Sequence, residues 1–109
     1  MHWVRHAAAA ALFGAALGPQ AASADPIADF YRGKQVNWIL SAGEGGGYSS
    51  YARAFAPFLS AHIPGNPKVV VQNMPGAGGI RAMNHLHSVA AKDGTVIGLV
   101  HSSVPFAPL

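Results

Sequence analysis

Two glycine-rich stretches stand where an apolar, strand-like run gives way to a helical pattern: Gly45-Gly46-Gly47 in SAGEGGGYSSYAR, and Gly76 with Gly78 and Gly79 in NMPGAGG. The N-terminus of a helix carries unpaired amides and the positive end of the helix dipole, so it favours anions. Glycines remove the side chains that would hold a ligand away from those amides. Ser49 and Ser50 add hydroxyls that both donate and accept. Two such turns converging would hold a carboxylate or phosphate mainly through backbone dipoles, without requiring a basic cluster. For either turn by itself, tight turning and close helix packing explain the glycines equally well. The same arrangement after two consecutive strands favours a ligand.

Other chemistries fit less well. Neither turn ends in the Lys-Ser/Thr pair of a phosphate-binding P-loop. The third glycine of a dinucleotide fingerprint is replaced by Tyr48, Ser50 or Arg81 in the three possible registers. Gly47-Tyr48-Ser49-Ser50-Tyr51 lacks the closing glycine of a nucleophile elbow. His101 beside Ser102 and Ser103 makes an exported serine hydrolase conceivable, with His101 serving Ser49 or Ser102, but neighbours on a strand point to opposite faces. His85 and His87, two apart on a helical pattern, cannot share a face as metal ligands. His62 reads as a cation at a helix end, and Glu44 as a solvated loop carboxylate. Arg53 and Arg81 follow the two turns, with a solvated face as the expectation for both. A third reading is a structural α/β domain that binds nothing.

The elements that must position these residues follow from periodicity. Asp25–Arg32 reads as a short helix, capped by Asp25 with Pro26 in its first turn and with Ile27, Phe30 and Tyr31 on one face. QVNWIL alternates Val36, Trp38 and Leu40, and Ile39 adds apolar character on the other side, which suits a strand near the middle of a sheet. Tyr48, Tyr51, Ala52, Phe55 and Leu59 fit the apolar face of an amphipathic helix, which Pro57 should kink or shorten. HIPGNPK is a turn. VVVQN has the unbroken β-branched character of a fully buried parallel strand. Ile80, Met83, Leu86, His87 and Ala90 continue a helix to Ala91, KDG turns, and TVIGLV is a third strand leading into HSS. Strands alternating with helices predict an α/β fold with three parallel strands and helices on both faces. Both glycine turns and HSS then lie at the carboxyl ends of the strands, facing one crevice.

Composition narrows the setting. The chain has 109 residues, half of them hydrophobic and a tenth charged, which allows one small domain. Its +3 formal charge is scattered and forms no nucleic-acid stripe. Cysteine is absent, which excludes disulfides and thiolate chemistry. MHWVRH, AAAAALFGAALG and AASADP have the basic, apolar and small-residue regions of a secretory signal peptide over residues 1–24, cleaved after Ala24. The remainder carries six bases and four acids and is expected to be a soluble exported protein.

GEGGGYSSYAR, PGNPKVVVQNMPGAGG and AAKDGTVIG, in this order, resemble the start of the Bug family, the tricarboxylate-binding receptors of tripartite tricarboxylate transporters. The resemblance covers Asp29 to Leu109. It implies a periplasmic solute-binding receptor of the type II periplasmic-binding-protein kind. Such a receptor has two α/β lobes, no catalytic role and no cofactor, and closes on a carboxylated small molecule before passing it to membrane permease subunits. Residues 25–109 would be the N-terminal part of its first lobe, a fragment without the second. Carried over, the binding residues are Gly45, Gly46, Gly47, Tyr48, Ser49 and Ser50 in the first loop and Pro75, Gly76, Ala77, Gly78 and Gly79 in the second. Ser102 and Ser103 line the third strand end. The family often has an acid where this chain has Ser49, so recognition of an amino group or hydroxyl by that acid is not carried over.

Overall fold

The computed structural model describes residues 23–106. The signal-peptide reading of residues 1–24 falls, but for its last two residues, outside them. The order of elements is α1 (Pro26–Tyr31), β1 (Gln35–Leu40), α2 (Gly47–His62), β2 (Lys68–Asn73), a 3-10 turn (Ala77–Gly79), α3 (Ile80–Ser88), β3 (Val96–Leu99) and a second 3-10 turn (Val104–Phe106).

Local chemistry accounts for most of these boundaries. Asp25 caps α1, its carboxylate accepting from the amides of Ile27 and Ala28 at 3.0 and 3.2 Å, and Pro26 stands where no helical donor is needed. The hydroxyl of Tyr31 donates to the carbonyl of Gly94 at 3.0 Å, which ties α1 to the turn before β3. Lys92 closes the end of α3 by donating to the carbonyl of Leu86.

The sheet is parallel throughout, in the order β2-β1-β3. The strand nearest the N-terminus is therefore central. Trp38 lies between Val71 and Ile97, and Ile39 between Gln72 and Gly98. Alternation along the strands sorts the helices to opposite faces. Trp38 and Leu40 form a core with Ala52 of α2, joined by Leu59, Val69, Val71, Ile97 and Leu99. On the other face, the space a Cβ on Gly98 would need is taken by Leu86 of α3. The chain thus crosses to one side of β1 through α2, then back past β1 through α3, and helices cover both faces as the α/β reading requires.

Four expectations are corrected. β2 is not fully buried: Val69, Val70 and Val71 are half-buried, because the strand pairs only with β1 and leaves an edge. An unbroken apolar run signals burial but not position in the sheet. Helix α2 is continuous through Pro57, which sits on its exposed side and costs a hydrogen bond without ending it. Its buried face is also different: Ser49, Ala52 and Ala56 point inward, while Tyr48, Tyr51 and Phe55 are exposed. Small residues let the helix axis approach the sheet, and the aromatic rings are displaced to the flank. Finally, α3 ends at Ser88, capped by Val89, three residues short of Ala91.

Candidate functional site

The three loops at the carboxyl end of the sheet meet over the end of β1. Ser41, the residue after β1, is buried, and its hydroxyl accepts from the amide of His101 at 2.9 Å while its own amide donates to the carbonyl of Leu99 at 3.0 Å. Gly79, at the start of α3, packs onto the same point. A Cβ there would stand 3.3 Å from Ser41 Cβ and 2.8 Å from Cγ2 of Val104. The loop after β1, the loop after β2 and the turn after β3 are in this way locked to one another through residues 41, 79, 101 and 104. With the order β2-β1-β3, the point where the chain reverses direction lies between β1 and β3, which is where open α/β sheets form their ligand crevice.

The first loop runs to Gly46, which begins α2 without any side-chain cap. The first intrahelical bond in this turn is that of Ser50 N to Gly46 O at 3.0 Å, so the amides of Gly47, Tyr48 and Ser49 precede the helical ladder. Gly45, Gly46, Gly47, Tyr48 and Ser50 are all exposed there. Ser49 is different. It is buried, and its hydroxyl faces Asn73 at the end of β2, accepting from Nδ2 at 3.2 Å. Of the first-loop candidates, Ser49 is the one turned into the protein, where it holds the loop and is not open to a solute.

Asn73 connects the two glycine loops. Its Nδ2 donates to the carbonyl of Ala42 at 2.9 Å, and its Oδ1 accepts from Nη2 of Arg53 at 2.9 Å. Arg53 also lies 3.8 Å from Glu44 in the first loop. This arginine is therefore a brace between loop and strand and not the purely solvated residue expected, and Glu44 is exposed beside it.

The second loop carries four consecutive residues with positive φ: Gly76 (135°), Ala77 (49°), Gly78 (64°) and Gly79 (101°). Only glycine takes such angles without cost, so Ala77 is the strained position. Pro75, Gly76, Ala77 and Gly78 are exposed and Gly79 is buried. Arg81 folds back over the loop, its Nη1 donating to the carbonyl of Pro75 at 3.3 Å and its Cδ lying 3.2 Å from where a Gly76 Cβ would stand. Like Arg53, it is engaged by a loop.

Ser102 and Ser103 are exposed in the turn closed by the bonds Val104 N to His101 O and Phe106 N to Ser103 O, both 3.0 Å. The His101 ring meets Tyr48 edge to face, centroids 5.1 Å apart. Tyr48 and Tyr51 then line, with Gly47 and Leu99, an open groove of about 510 Å³ at the first turn of α2. His62 sits at the far end of α2, its Nδ1 at 2.7 Å from the carbonyl of Phe58, as a helix-end residue should. Among the described residues no group of three or more histidines, acids or cysteines could hold a metal ion, and no helix is long and apolar enough to cross a membrane.

Sequence reasoning did not single out Asn73 or Ser41 as site residues. The only local signal was position: each is the polar residue that closes an apolar strand before a glycine loop. Comparisons with protein-family models, with curated proteins and with solved structures find no match for this chain.

Proposed function

We propose that this chain belongs to a periplasmic solute-binding protein of the Bug type. In this reading it captures a carboxylated small molecule and delivers it to the permease subunits of a tripartite tricarboxylate transporter, with no catalytic role and no cofactor. The observation that supports it best is the convergence of two uncapped, glycine-rich helix starts on the end of the central strand, where Gly79, Ser41, His101 and Val104 are packed together. The placement of α2 and α3 on opposite faces of the parallel sheet is compatible with a type II periplasmic-binding-protein lobe, and the signal-like composition of residues 1–24 with export.

On this reading the carboxylate accepts from the amides of Gly47 and Tyr48, with Ser50 and the Gly76–Gly78 backbone completing the cradle. Bonds between a carboxylate and N–H donors are charge-assisted and gain from exclusion of water, which closure of a second lobe would provide. Ser49, Asn73 and Arg53 hold the loop in shape behind it.

Gly46 is the position that tests this with least disturbance. Its φ of −82° suits any residue, and a Cβ there would meet only the Gly43 carbonyl, at 3.8 Å. Gly46→Val should leave the fold intact and lower carboxylate affinity at least about tenfold, a loss of about 1.4 kcal/mol. Calorimetry with a panel of carboxylates measures it. Equal affinity in variant and parent would remove the first loop from the site, and failure of every carboxylate to raise the melting temperature would remove the binding reading altogether.

A further inference from the structure

We infer that the carboxylate taken by this chain is a monoanion with a flat aromatic body, seated against Tyr48 and Tyr51; the inference rests on the carboxylate reading above and names its substrate class. An open groove of about 510 Å³ is lined by Tyr48, Tyr51 and Leu99 and reaches Gly47, the first residue of α2. That volume falls in the range of about 300–1,000 Å³ typical of small-molecule sites. Its two aromatic rings are held from behind. The His101 ring stands edge-on to Tyr48, with an interplanar angle of 71°, and Phe55 stacks on Tyr51 at 4.7 Å and 22°. Rings fixed in this way present defined faces, which favour another planar ring by stacked or edge contacts.

Charge sets the number of carboxylates. The two arginines that follow the loops are already engaged, Arg53 by Asn73 and Glu44 and Arg81 by the Pro75 carbonyl. No lysine or arginine is among the residues that line the groove. One carboxylate can lie on the α2 amides at the Gly47 end. A second or third, lying over the two rings and Leu99, would find no cationic partner among the lining residues.

The test is calorimetry on the full 109-residue chain with benzoate, cyclohexanecarboxylate and citrate, repeated on Tyr48→Ala and Tyr48→Phe after circular dichroism has shown both to be folded. Benzoate should bind at least tenfold more tightly than either other acid. Tyr48→Ala should lose at least tenfold for benzoate, and Tyr48→Phe, which keeps the ring, should lose less than threefold. Citrate binding as tightly as benzoate overturns the aromatic monoanion and leaves the carboxylate reading standing. Equal binding of benzoate and cyclohexanecarboxylate overturns the flat ring, and equal losses in the two Tyr48 variants overturn the stacking wall. Binding of none of the three overturns this inference together with the reading beneath it.

Discussion

Asn73 Nδ2 donates to the carbonyl of Ala42 at 2.9 Å, joining the end of an edge strand to the first loop across 31 residues of chain. The same amide reaches Ser49, whose hydroxyl is almost wholly buried. Asn73→Ala leaves both acceptors without this donor and should cost about 1–3 kcal/mol. Adding Ser49→Ala should cost less than the sum of the two single changes, because the second removes a group the first has orphaned. Urea unfolding of the four proteins in the cycle measures the coupling, and strict additivity would show that the contact carries no energy.

Gly79 and Gly78 are adjacent but should respond differently to alanine. At Gly79 the new methyl meets Val104 Cγ2 at 2.8 Å and Ser41 at 3.3 Å, with φ at +101°. Gly79→Ala should cost about 2 kcal/mol or more through overpacking and backbone strain together. At Gly78 no atom lies within 4 Å of the added Cβ, and only its left-handed backbone resists, at about 1–2 kcal/mol. Thermal melts of the two variants check the order, and a larger loss at Gly78 would mean that the three loops do not meet at Gly79.

Ala77 stands at φ +49° between glycines, in a conformation that L-residues avoid. Ala77→Gly relieves that strain but frees the unfolded chain, so the net gain should be about 0.5–1 kcal/mol. A rise in the urea midpoint with an unchanged slope is the expected result.

Asp93, at the opposite end of the sheet from the loops, has its carboxyl held below the ordinary carboxylate range. The Thr95 hydroxyl donates to it at 2.6 Å, and the Thr95 amide adds a bond at 3.0 Å. A carboxylate with a depressed folded pKa adds stability at pH values above its unfolded value, about 3.9, and loses it as pH falls through the folded value. Thr95→Val removes the hydroxyl bond and should make the acid-induced loss smaller. Chemical unfolding at pH 7 and at successive steps into the acid range tests this, and an unchanged acid limb would show that the pair is not populated in solution.

The features legible in the sequence are the local ones. Asp25 and Pro26 mark the start of α1, the alternation of Val36, Trp38 and Leu40 marks a central strand, and glycines mark the two strand-to-helix turns. Each rests on residues a few places apart. What was not legible depends on partners far along the chain. The three valines of β2 look the same in the middle of a sheet as at its edge, and only pairing decides. On α2, apolar periodicity singled out the large aromatic rings, whereas the contact with the sheet is made through Ala52 and Ala56. Loop geometry likewise depends on Asn73 with Ala42 and on Ser41 with His101, pairs that no spacing rule brings together.

The strand order has a consequence for how the chain is made. β1 is central, yet both of its neighbours lie later in the sequence. At a synthesis rate of about 5–20 residues per second, Gln35–Leu40 leaves the ribosome several seconds before Val96–Leu99 has been added. Neither sheet pairing can form locally, because both strand partners must first be brought together by a crossover helix. Val36, Ile39 and Leu40, among the best-covered side chains of the finished fold, are therefore among those that wait longest for cover. Gln35–Leu40 therefore spends part of synthesis with its apolar side chains uncovered.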